Sequence, residues 1–542
     1  MSSARLSAVV FSARCPGKAL AHSNARAADV RRWEANLQGT SLDANGVEAP
    51  STSPPRESRG SPVHRTLREV FGFDAFRPGQ LDVIDAVLSG RDALAVMPTG
   101  AGKSLCYQIP ALHLPGTTVV VSPLIALITD QTQKLGGLGL DASQIDSSRT
   151  ARERNDAIDD IRHERLEFVL TTPERLNDPE FVDVLRRVKV DLVVVDEAHC
   201  ISQWGHDFRP AYLGLKAAIE TLGRPPVLAL TATATEQTKT DIVSRLGLRD
   251  PAIITHPTYR SNLFYEVRHV STEADKLSAL VPLAEEAEGS VLVYASTIRT
   301  AELAWRRLQA LGAAVELYHG RLSPRARQRA QDRFMAGEVR VMVGTNAFGM
   351  GVDKPDVGMV AHINMPGSLD AYYQESGRAG RDCEPARCVL LYTPTDRRTH
   401  QFFMRRRYSP PAAVLAIARG LEERSPLTLD ELAARANVSP RRADAIVAAM
   451  EEAGAVRRLR DRRVRPVSRH LVTTAEQLVE TYAELQAADR QKLDQMIVYC
   501  QTAMCRWHKL LEYFDGISTL EHCGHCDRCL SEERSEETGD RN

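Results

Sequence analysis

The stretch Ala93-Leu94-Ala95-Val96-Met97-Pro98-Thr99-Gly100-Ala101-Gly102-Lys103-Ser104 decides the fold. Its opening residues form an apolar run that stops at a proline, the pattern of a short buried strand. Two glycines then let the backbone turn tightly, and the segment from Lys103 onward can be helical. A strand that turns through glycines into a helix aims backbone N–H groups and a helix N-terminus at one point, which makes an anion cradle. Lys103 is placed to reach the β- and γ-phosphates of a nucleotide and Ser104 to hold Mg²⁺ through its hydroxyl, with Thr99, Gly100, Ala101 and Gly102 forming the loop around the phosphates. The usual pattern opens on glycine, where this chain has Met97, so the motif does not decide the matter alone.

A second stretch does. Val190-Asp191-Leu192-Val193-Val194-Val195 reads as another buried strand, and Asp196-Glu197-Ala198-His199 stands at its carboxyl end. A metal–triphosphate site needs carboxylates there: Asp196 to bind Mg²⁺ and Glu197 to orient or deprotonate the attacking water. A lone Asp-Glu pair would more simply be a solvated acidic loop. Downstream of a phosphate cradle and directly after a buried strand, the functional reading is the better one.

Around these motifs lies a chain of 542 residues, too long for one core, so three or four domains are expected. Its apolar and charged content is ordinary for a soluble globular protein, and no apolar run reaches membrane-spanning length, so a soluble, cytoplasmic protein without a membrane partner is expected. The net charge of -1 gives no global field to attract nucleic acid, so any such binding must come from local clusters. Residues 1–62 mix Ala, Ser, Arg and Pro with little periodicity and read as a disordered tail. The first thirty hold Asp29 as their one acid beside Arg5, Arg14, Lys18 and Arg26, which is also transit-peptide composition.

Upstream of the cradle, Phe71-Gly72-Phe73-Asp74-Ala75-Phe76-Arg77-Pro78-Gly79-Gln80 offers a glutamine that can pair with the N6 and N7 edge of adenine and rings that can stack on a base. These residues resemble the RecQ family of DNA helicases, in which a Phe-Arg-x-x-Gln element reads adenine. The resemblance implies that Gln80 contacts the base, Phe73 stacks on it and Arg77 lies alongside. It continues through Val119-Val120-Val121-Ser122-Pro123-Leu124 and Thr171-Thr172-Pro173-Glu174-Arg175, which in the family grip single-stranded DNA. His199-Cys200-Ile201-Ser202-Gln203-Trp204-Gly205-His206-Asp207-Phe208-Arg209-Pro210 is similar to the family's aromatic-rich loop. Trp204 and Phe208 offer stacking faces and Arg209 a charge, all close to Glu197, so such a loop can couple a bound base to the hydrolytic water; the alternative is aromatics packed on the lobe. Leu230-Thr231-Ala232-Thr233-Ala234-Thr235 resembles the family segment that links hydrolysis to lobe movement.

From Tyr259 a second α/β run begins, with strands at Ser290-Val291-Leu292-Val293-Tyr294 and Val339-Arg340-Val341-Met342-Val343 and no cradle of its own. Two such lobes, one with the cradle and one without, suggest a cleft that closes on nucleotide. Gly344-Thr345-Asn346-Ala347-Phe348-Gly349-Met350-Gly351-Val352-Asp353-Lys354-Pro355 resembles the family's fifth motif, which puts Thr345 on the DNA side. Asp353 meets either the ribose or that DNA side, and both remain open. Tyr372-Tyr373-Gln374-Glu375-Ser376-Gly377-Arg378-Ala379-Gly380-Arg381-Asp382 is the sharpest match of the lobe. Two arginines three apart on a glycine-loosened turn can point together at a triphosphate, with Arg381 as the finger that stabilises transition-state charge and Arg378 as the supporting contact, against the alternative of a surface ion-paired couple. Cys383, where the family usually has glycine, and Tyr318-His319-Gly320-Arg321-Leu322 depart from the family pattern.

Beyond the lobes the chain leaves the common family plan. Residues 427–436 read as a short helix and Asn437-Val438-Ser439-Pro440 as a turn with Ser439 as N-cap. A second helix follows, with Ala445, Ile446, Ala449 and Met450 on one face and Gly454 at its end, then a hairpin over 455–467, which together make a winged-helix pattern. Between Arg405 and Arg469 there are 15 arginines and 8 acids, a local balance of +7 and the best candidate for a duplex-binding surface; a protein-docking domain or a solvated face is the alternative. In better-known family members such a domain follows the zinc module, whereas here it precedes it, so no wing residue is carried over. Helical sequence then runs from about Thr474 to Phe514, and after it comes Cys523-Gly524-His525-Cys526-Asp527-Arg528-Cys529. Cys505, Cys523, Cys526 and Cys529 can close a tetrahedron around Zn²⁺, one from the helix and three from a tight loop, and resemble the family's zinc module. Cys500, His522 and His525 are rival ligands, and an iron–sulfur cluster is a less suitable occupant.

The expected architecture is α/β: two tandem RecA-like lobes over 63–258 and 259–395, a winged-helix-like domain over 396–470, a helical zinc module over 471–530 and an acidic tail over 531–542. The resemblance implies an ATP-dependent DNA helicase using Mg²⁺ and carrying Zn²⁺. It would move 3′→5′ on single-stranded DNA and open duplexes, in repair or recombination. An RNA helicase, or a winged-helix DNA-binding protein that uses ATP only as a switch, are the alternatives.

Overall fold

The computed structural model describes residues 61–202, 208–349, 354–459, 461–468, 470–516 and 518–532. The expectations for Trp204, for Asp353, for residues 1–60 and for the last ten residues lie outside the described residues.

Apolar, β-branched runs too short for helices become strands, the central ones buried on both faces, as a sheet covered by helices on either side requires. In the first lobe these are β1 (Ala93–Val96), β2 (Thr117–Val121), β3 (Ala142–Ile145), β4 (Phe168–Thr171), β5 (Val190–Val195), β6 (Val227–Thr231) and β7 (Ala252–Thr255). They lie in the order β3-β4-β2-β5-β6-β1-β7 with every neighbouring pair parallel. The register sets Ala95 beside Leu230 and Val121 beside Val195. Strands that start and stop together deliver their carboxyl ends to one rim, so the cradle after β1, Asp196 after β5 and Thr231 at the end of β6 become neighbours.

The second lobe repeats the scheme with β8 (Leu263–His269), β9 (Ser290–Tyr294), β10 (Val315–Tyr318), β11 (Val341–Gly344), β12 (Val357–His362) and β13 (Ala386–Tyr392). These are again all parallel, in the order β10-β11-β9-β12-β13-β8. Both lobes therefore have the two parallel α/β sheets that the sequence predicts.

The inserted region contains helices Leu429–Arg435 and Pro440–Glu452 and an antiparallel hairpin of β14 (Val456–Arg458) and β15 (Val464–Pro466). Ser439 caps the second helix by accepting from Arg442 N. The buried stripe of that helix is Ala443, Ile446, Val447 and Met450, not the face through Ala445 and Ala449. Spacing of three and four lets the larger side chains fill the core, while Ala445 is left exposed at little cost. A further helix, Pro411–Glu423, belongs to the same core and was not anticipated.

The predicted helical run to Phe514 is interrupted. Leu471–Gln501 is one helix of 31 residues, the chain turns at Thr502, and a new helix Arg506–Asp515 begins after Cys505. Cys505 thus enters from an N-cap position rather than from within a helix, because the turn is what brings its thiol to the other three.

Candidate nucleotide cleft and metal centre

The cradle forms as its glycines dictate. Gly100 and Gly102 have φ of 88° and 80°, a left-handed conformation that other residues resist. A side chain on Gly102 would run into the Gln80 amide, and one on Gly100 would sit 3.3 Å from Arg381 Cγ, so the second lobe packs directly on the loop. Lys103 Nζ donates to the carbonyls of Met97 (3.0 Å) and Pro98 (3.4 Å). Burial pulls its pKa down, and Glu197 and Asp196 oppose that pull.

Asp196 and Glu197 follow β5 as predicted. Glu197 takes a left-handed φ of 48°, and its charge bears on Asp196. Burial together with the Glu197 charge raises Asp196 to about 7, with Lys103 acting against the rise and Ser122 Oγ donating to it at 3.3 Å. Two carboxylates held so close out of water are costly unless cations join them, which fits Lys103 and a divalent ion at this spot. Ser104 and Asp196 are the residues that would hold it.

One cavity of about 620 Å³ collects the parts: Lys103, Ser104, Asp196 and Glu197 from the first lobe, Arg378 and Arg381 from the second. Thr99, Gly100, Gly102, Phe73, Arg77 and Gln80 line the same space. Arg378 is 4% exposed, and its Nε has no partner among the described residues, which suits a guanidinium waiting for an anion. Phe73 is 52% exposed at the cavity, as a ring awaiting a base would be. Gln80 behaves differently: its Nε2 donates to Ala101 O (3.1 Å) and Gly102 O (3.0 Å) and its Oε1 accepts from Arg77 N (2.8 Å). Arg77 donates to Gly100 O. Both residues hold the loop itself, so pairing with adenine requires Gln80 to exchange loop carbonyls for the base.

Several contacts left no mark in the sequence. Arg260, just before β8, donates to the carbonyls of Gly377 (3.0 Å), Ala379 (3.0 Å) and Gly380, a three-point clamp on the turn that carries Arg378 and Arg381. Across the cleft, Thr99 Oγ1 donates to the same Gly377 carbonyl at 2.9 Å. His199 Nδ1 lies 3.3 Å from Glu197 Oε2 and 2.9 Å from Thr231 Oγ1, joining the acidic motif to the end of β6. Tyr212 OH donates to Asp196 O at 2.9 Å, and Arg209 donates through Nη1 to Pro123 O at 2.8 Å. Phe208 is half-buried beside it, and Thr345 Oγ1 accepts from Ala347 N. A lone residue whose partner is a distant backbone carbonyl has no local pattern to betray it.

At the other end of the second lobe, the Sγ atoms of Cys505, Cys523, Cys526 and Cys529 all lie within 4.8 Å of one another. Sulfur–sulfur separations of 3.6 Å (Cys526–Cys529) and 3.9 Å (Cys523–Cys529, Cys505–Cys526) match the edge of about 3.8 Å expected for a tetrahedron of thiolates 2.3 Å from zinc. The rival ligands lie outside this group of four. Cys500 is buried in the lobe core, and His525 Nδ1 binds Cys523 O while its Nε2 faces Tyr259 OH at 3.4 Å. His522 pairs with Glu532. Arg506, fully buried, braces the cluster by donating to Asp527 (2.8 and 3.0 Å) and, through its backbone, to Cys526 Sγ.

Comparison with known proteins agrees with this geometry. Residues 77–242 match the DEAD/DEAH box helicase family, 273–383 the helicase conserved C-terminal domain and 468–530 the RecQ zinc-binding family. The probable ATP-dependent DNA helicase RecS of Bacillus subtilis is 41% identical over 336 residues, 62% of this chain and 67% of that protein. The ATP-dependent DNA helicase RecQ of Synechocystis sp. is 35% identical over 484 residues, 86% of this chain and 98% of that protein. Among solved structures, the DUF1998 helicase MrfA bound to DNA and AMPPNP superposes with a TM-score of 0.55 at 19% identity, covering 82% of this chain and 67% of that one, a likeness of fold.

Proposed function

Because this chain belongs to the RecQ family of ATP-dependent DNA helicases, we propose that it hydrolyses ATP in the cleft between its lobes and uses the closure to move 3′→5′ along single-stranded DNA and open duplexes, in repair or recombination. The reading rests above all on one observation: Lys103, Asp196 and Glu197 of one lobe and Arg378 and Arg381 of the other line a single cavity. Bound Mg²⁺ would supply charge neutralisation between phosphate oxygens, held by Ser104 and Asp196. Lys103 turns its ammonium from the loop carbonyls to the nucleotide phosphates. Glu197 holds the attacking water and receives its proton. Arg381, with Arg378 behind it, meets the charge that develops on the transferred group. Phe73 and Gln80 select the base. Asp353 stays proposed for the ribose or the DNA side, and Thr345, Trp204, Phe208 and Arg209 for the strand.

Movement follows from what closure connects. The clamp by Arg260 makes the arginine turn rigid, so the second lobe moves with it. His199 and Thr231 link Glu197 to β6, and Tyr212 links Asp196 to the segment after the aromatic loop, so a strand bound there senses the catalytic acids. On the accessory domain, exposed Arg457 and Arg465 are proposed to hold duplex phosphates. The chain is proposed to work in the cytoplasm.

The test is ATP turnover with and without single-stranded DNA, followed by unwinding of 3′-tailed and 5′-tailed DNA duplexes and a 3′-tailed RNA duplex. DNA-stimulated turnover and opening of the 3′-tailed DNA alone are expected, and Lys103→Ala should abolish turnover while leaving strand binding nearly intact. Turnover indifferent to DNA would reject the helicase reading, and preferential opening of RNA would transfer it to the other nucleic acid.

A further inference from the structure

The helix Asp396–Arg407 leads from the second lobe to the inserted domain. It has five arginines and one acid, and that acid, Asp396, is 2% exposed and bound to Lys276 Nζ at 2.6 Å inside the lobe. Helical spacing puts Arg398, Phe402, Arg405 and Arg406 on one stripe. Phe402 is 51% exposed and Phe403 41%, two large rings left in water side by side.

The helix does not need those rings for its own stability. Arg397 pairs with Asp494 (3.6 Å) and Arg407 with Asp489 (3.3 Å) along the Leu471–Gln501 helix. Arg442 of the inserted domain donates to the carbonyls of Arg405 (3.1 Å), Arg406 (2.6 Å) and Tyr408, closing the last turn. What remains outside is a set of cations and rings. The Arg406 guanidinium lies 4.6 Å over the Phe402 ring, and among the described residues no acid forms an ion pair with Arg398, Arg405 or Arg406. Rings interleaved with uncompensated arginines suit a ligand that alternates π-faces with negative charges, which is a single strand of nucleic acid. The position suits it too: Phe403 shares a cavity of about 480 Å³ with Ser296 and Asn346 at the carboxyl ends of β9 and β11, and Asn346 follows Thr345 in the chain.

We infer that this stripe is a stacking platform for single-stranded DNA, with bases on Phe402 and Phe403 and phosphates on Arg398, Arg405 and Arg406. It extends the strand-holding surface of the second lobe onto the first helix beyond it, and it rests on the helicase reading above. The platform lies away from the nucleotide cleft, so its loss leaves basal turnover intact.

The experiment measures the affinity of the full-length protein for a labelled single-stranded oligonucleotide across a salt series, alongside ATP turnover. Phe402→Ala should weaken binding roughly five- to thirty-fold without altering the salt slope, and Phe402→Trp should restore it. A strand with abasic sites should bind the wild-type protein and Phe402→Ala alike. Replacing Arg398 and Arg405 together by Gln should flatten the salt slope by roughly 1.4, the contribution of two phosphate contacts on a single strand. In each variant turnover without DNA stays at the wild-type level, and the half-saturating DNA concentration for stimulation rises. Equal affinities of Phe402→Ala and wild type overturn the inference, including the case in which the variant instead loses a bound protein. A wild-type protein whose turnover ignores DNA is a different result and overturns the helicase reading itself.

Discussion

The two regions that follow the second lobe are joined to it in different ways. The zinc module shares the lobe's core: Trp507, Leu510, Phe514 and Cys526 lie in one buried cluster with Tyr265, Tyr372 and Leu390. Trp507 Nε1 donates to Leu263 O (3.2 Å), Asp527 accepts from Val267 N (3.1 Å), and a bridge joins Tyr265 to Cys526, so the module covers the open edge of β8. The inserted domain instead has a core of its own, built on Val414, Ile417, Leu432, Ile446 and Val464. The Leu471–Gln501 helix spans both, with Leu471 and Ala475 in the insertion's core and Leu493, Met496 and Tyr499 in the lobe's. The contrast separates a part of the engine from an attachment. From the thiol cluster the chain of contacts runs through His525 to Tyr259, next to Arg260, and from Arg260 to the turn that bears Arg378 and Arg381.

The largest effect should come from breaking the shared core. Cys526→Ser removes one of four thiolates, and the binding energy of a structural zinc is folding energy. The zinc content should collapse, and the transition that reports the second lobe should drop by about 10 °C or more in calorimetry. A variant that keeps its metal would refute the ligand set, and an insertion that melts earlier by the same amount would erase the distinction between the two regions. The next effect is smaller and more local. Arg260→Ala takes away three bonds to the arginine turn without touching the metal or the nucleotide, so kcat should fall about 10- to 100-fold while KM for ATP and the zinc content hold. Arg260→Lys should recover only part of the rate, because a single ammonium cannot reproduce a planar fork across three carbonyls. A wild-type kcat in Arg260→Ala would cut the proposed path from zinc to cleft.

The same contrast explains what could be read from sequence. Lys103 and Asp196 sit where a strand gives way to a loop and Arg381 on the turn after the helix Leu369–Ser376, and their spacing has a chemical reason, so the cleft could be assembled on paper. The four clustered cysteines have a spacing that points to a metal, although Cys500, which is buried in the lobe core, could not be set apart from them by spacing. Arg260 and Tyr212 could not be found, since their partners are backbone atoms brought near by the tertiary fold. The turn at Thr502 was equally hidden: neither proline nor glycine marks it, and the helix yields there to the geometry of the thiols. In the insertion, a charge count alone could not tell which arginines are used internally. Arg435 donates to Gly420 O, Arg442 caps the Asp396–Arg407 helix, Arg458 is held by Asp444 and Glu451, and Arg463 by Asp461. Arg435 and Arg442 thus spend their charge on backbone carbonyls, whereas Arg458 and Arg463 pair with acids that the +7 already counts.

On the hairpin of the insertion, Arg457 and Arg465 are both exposed and are direct cross-strand partners. Like charges facing each other across an antiparallel pair destabilise it, so stability alone would not put two arginines there. Arg465→Glu converts the repulsion into a cross-strand ion pair and reverses the charge offered to a phosphate. The melting temperature of the insertion should then rise slightly, by about 1 °C, while the salt slope of duplex binding falls by roughly 1 to 2 and ATP turnover stimulated by single strands stays at the wild-type level. An unchanged slope would mean that the pair faces some other ligand. A hairpin made firmer by the same substitution that loosens the duplex would show that the repulsion is kept for the phosphate that relieves it.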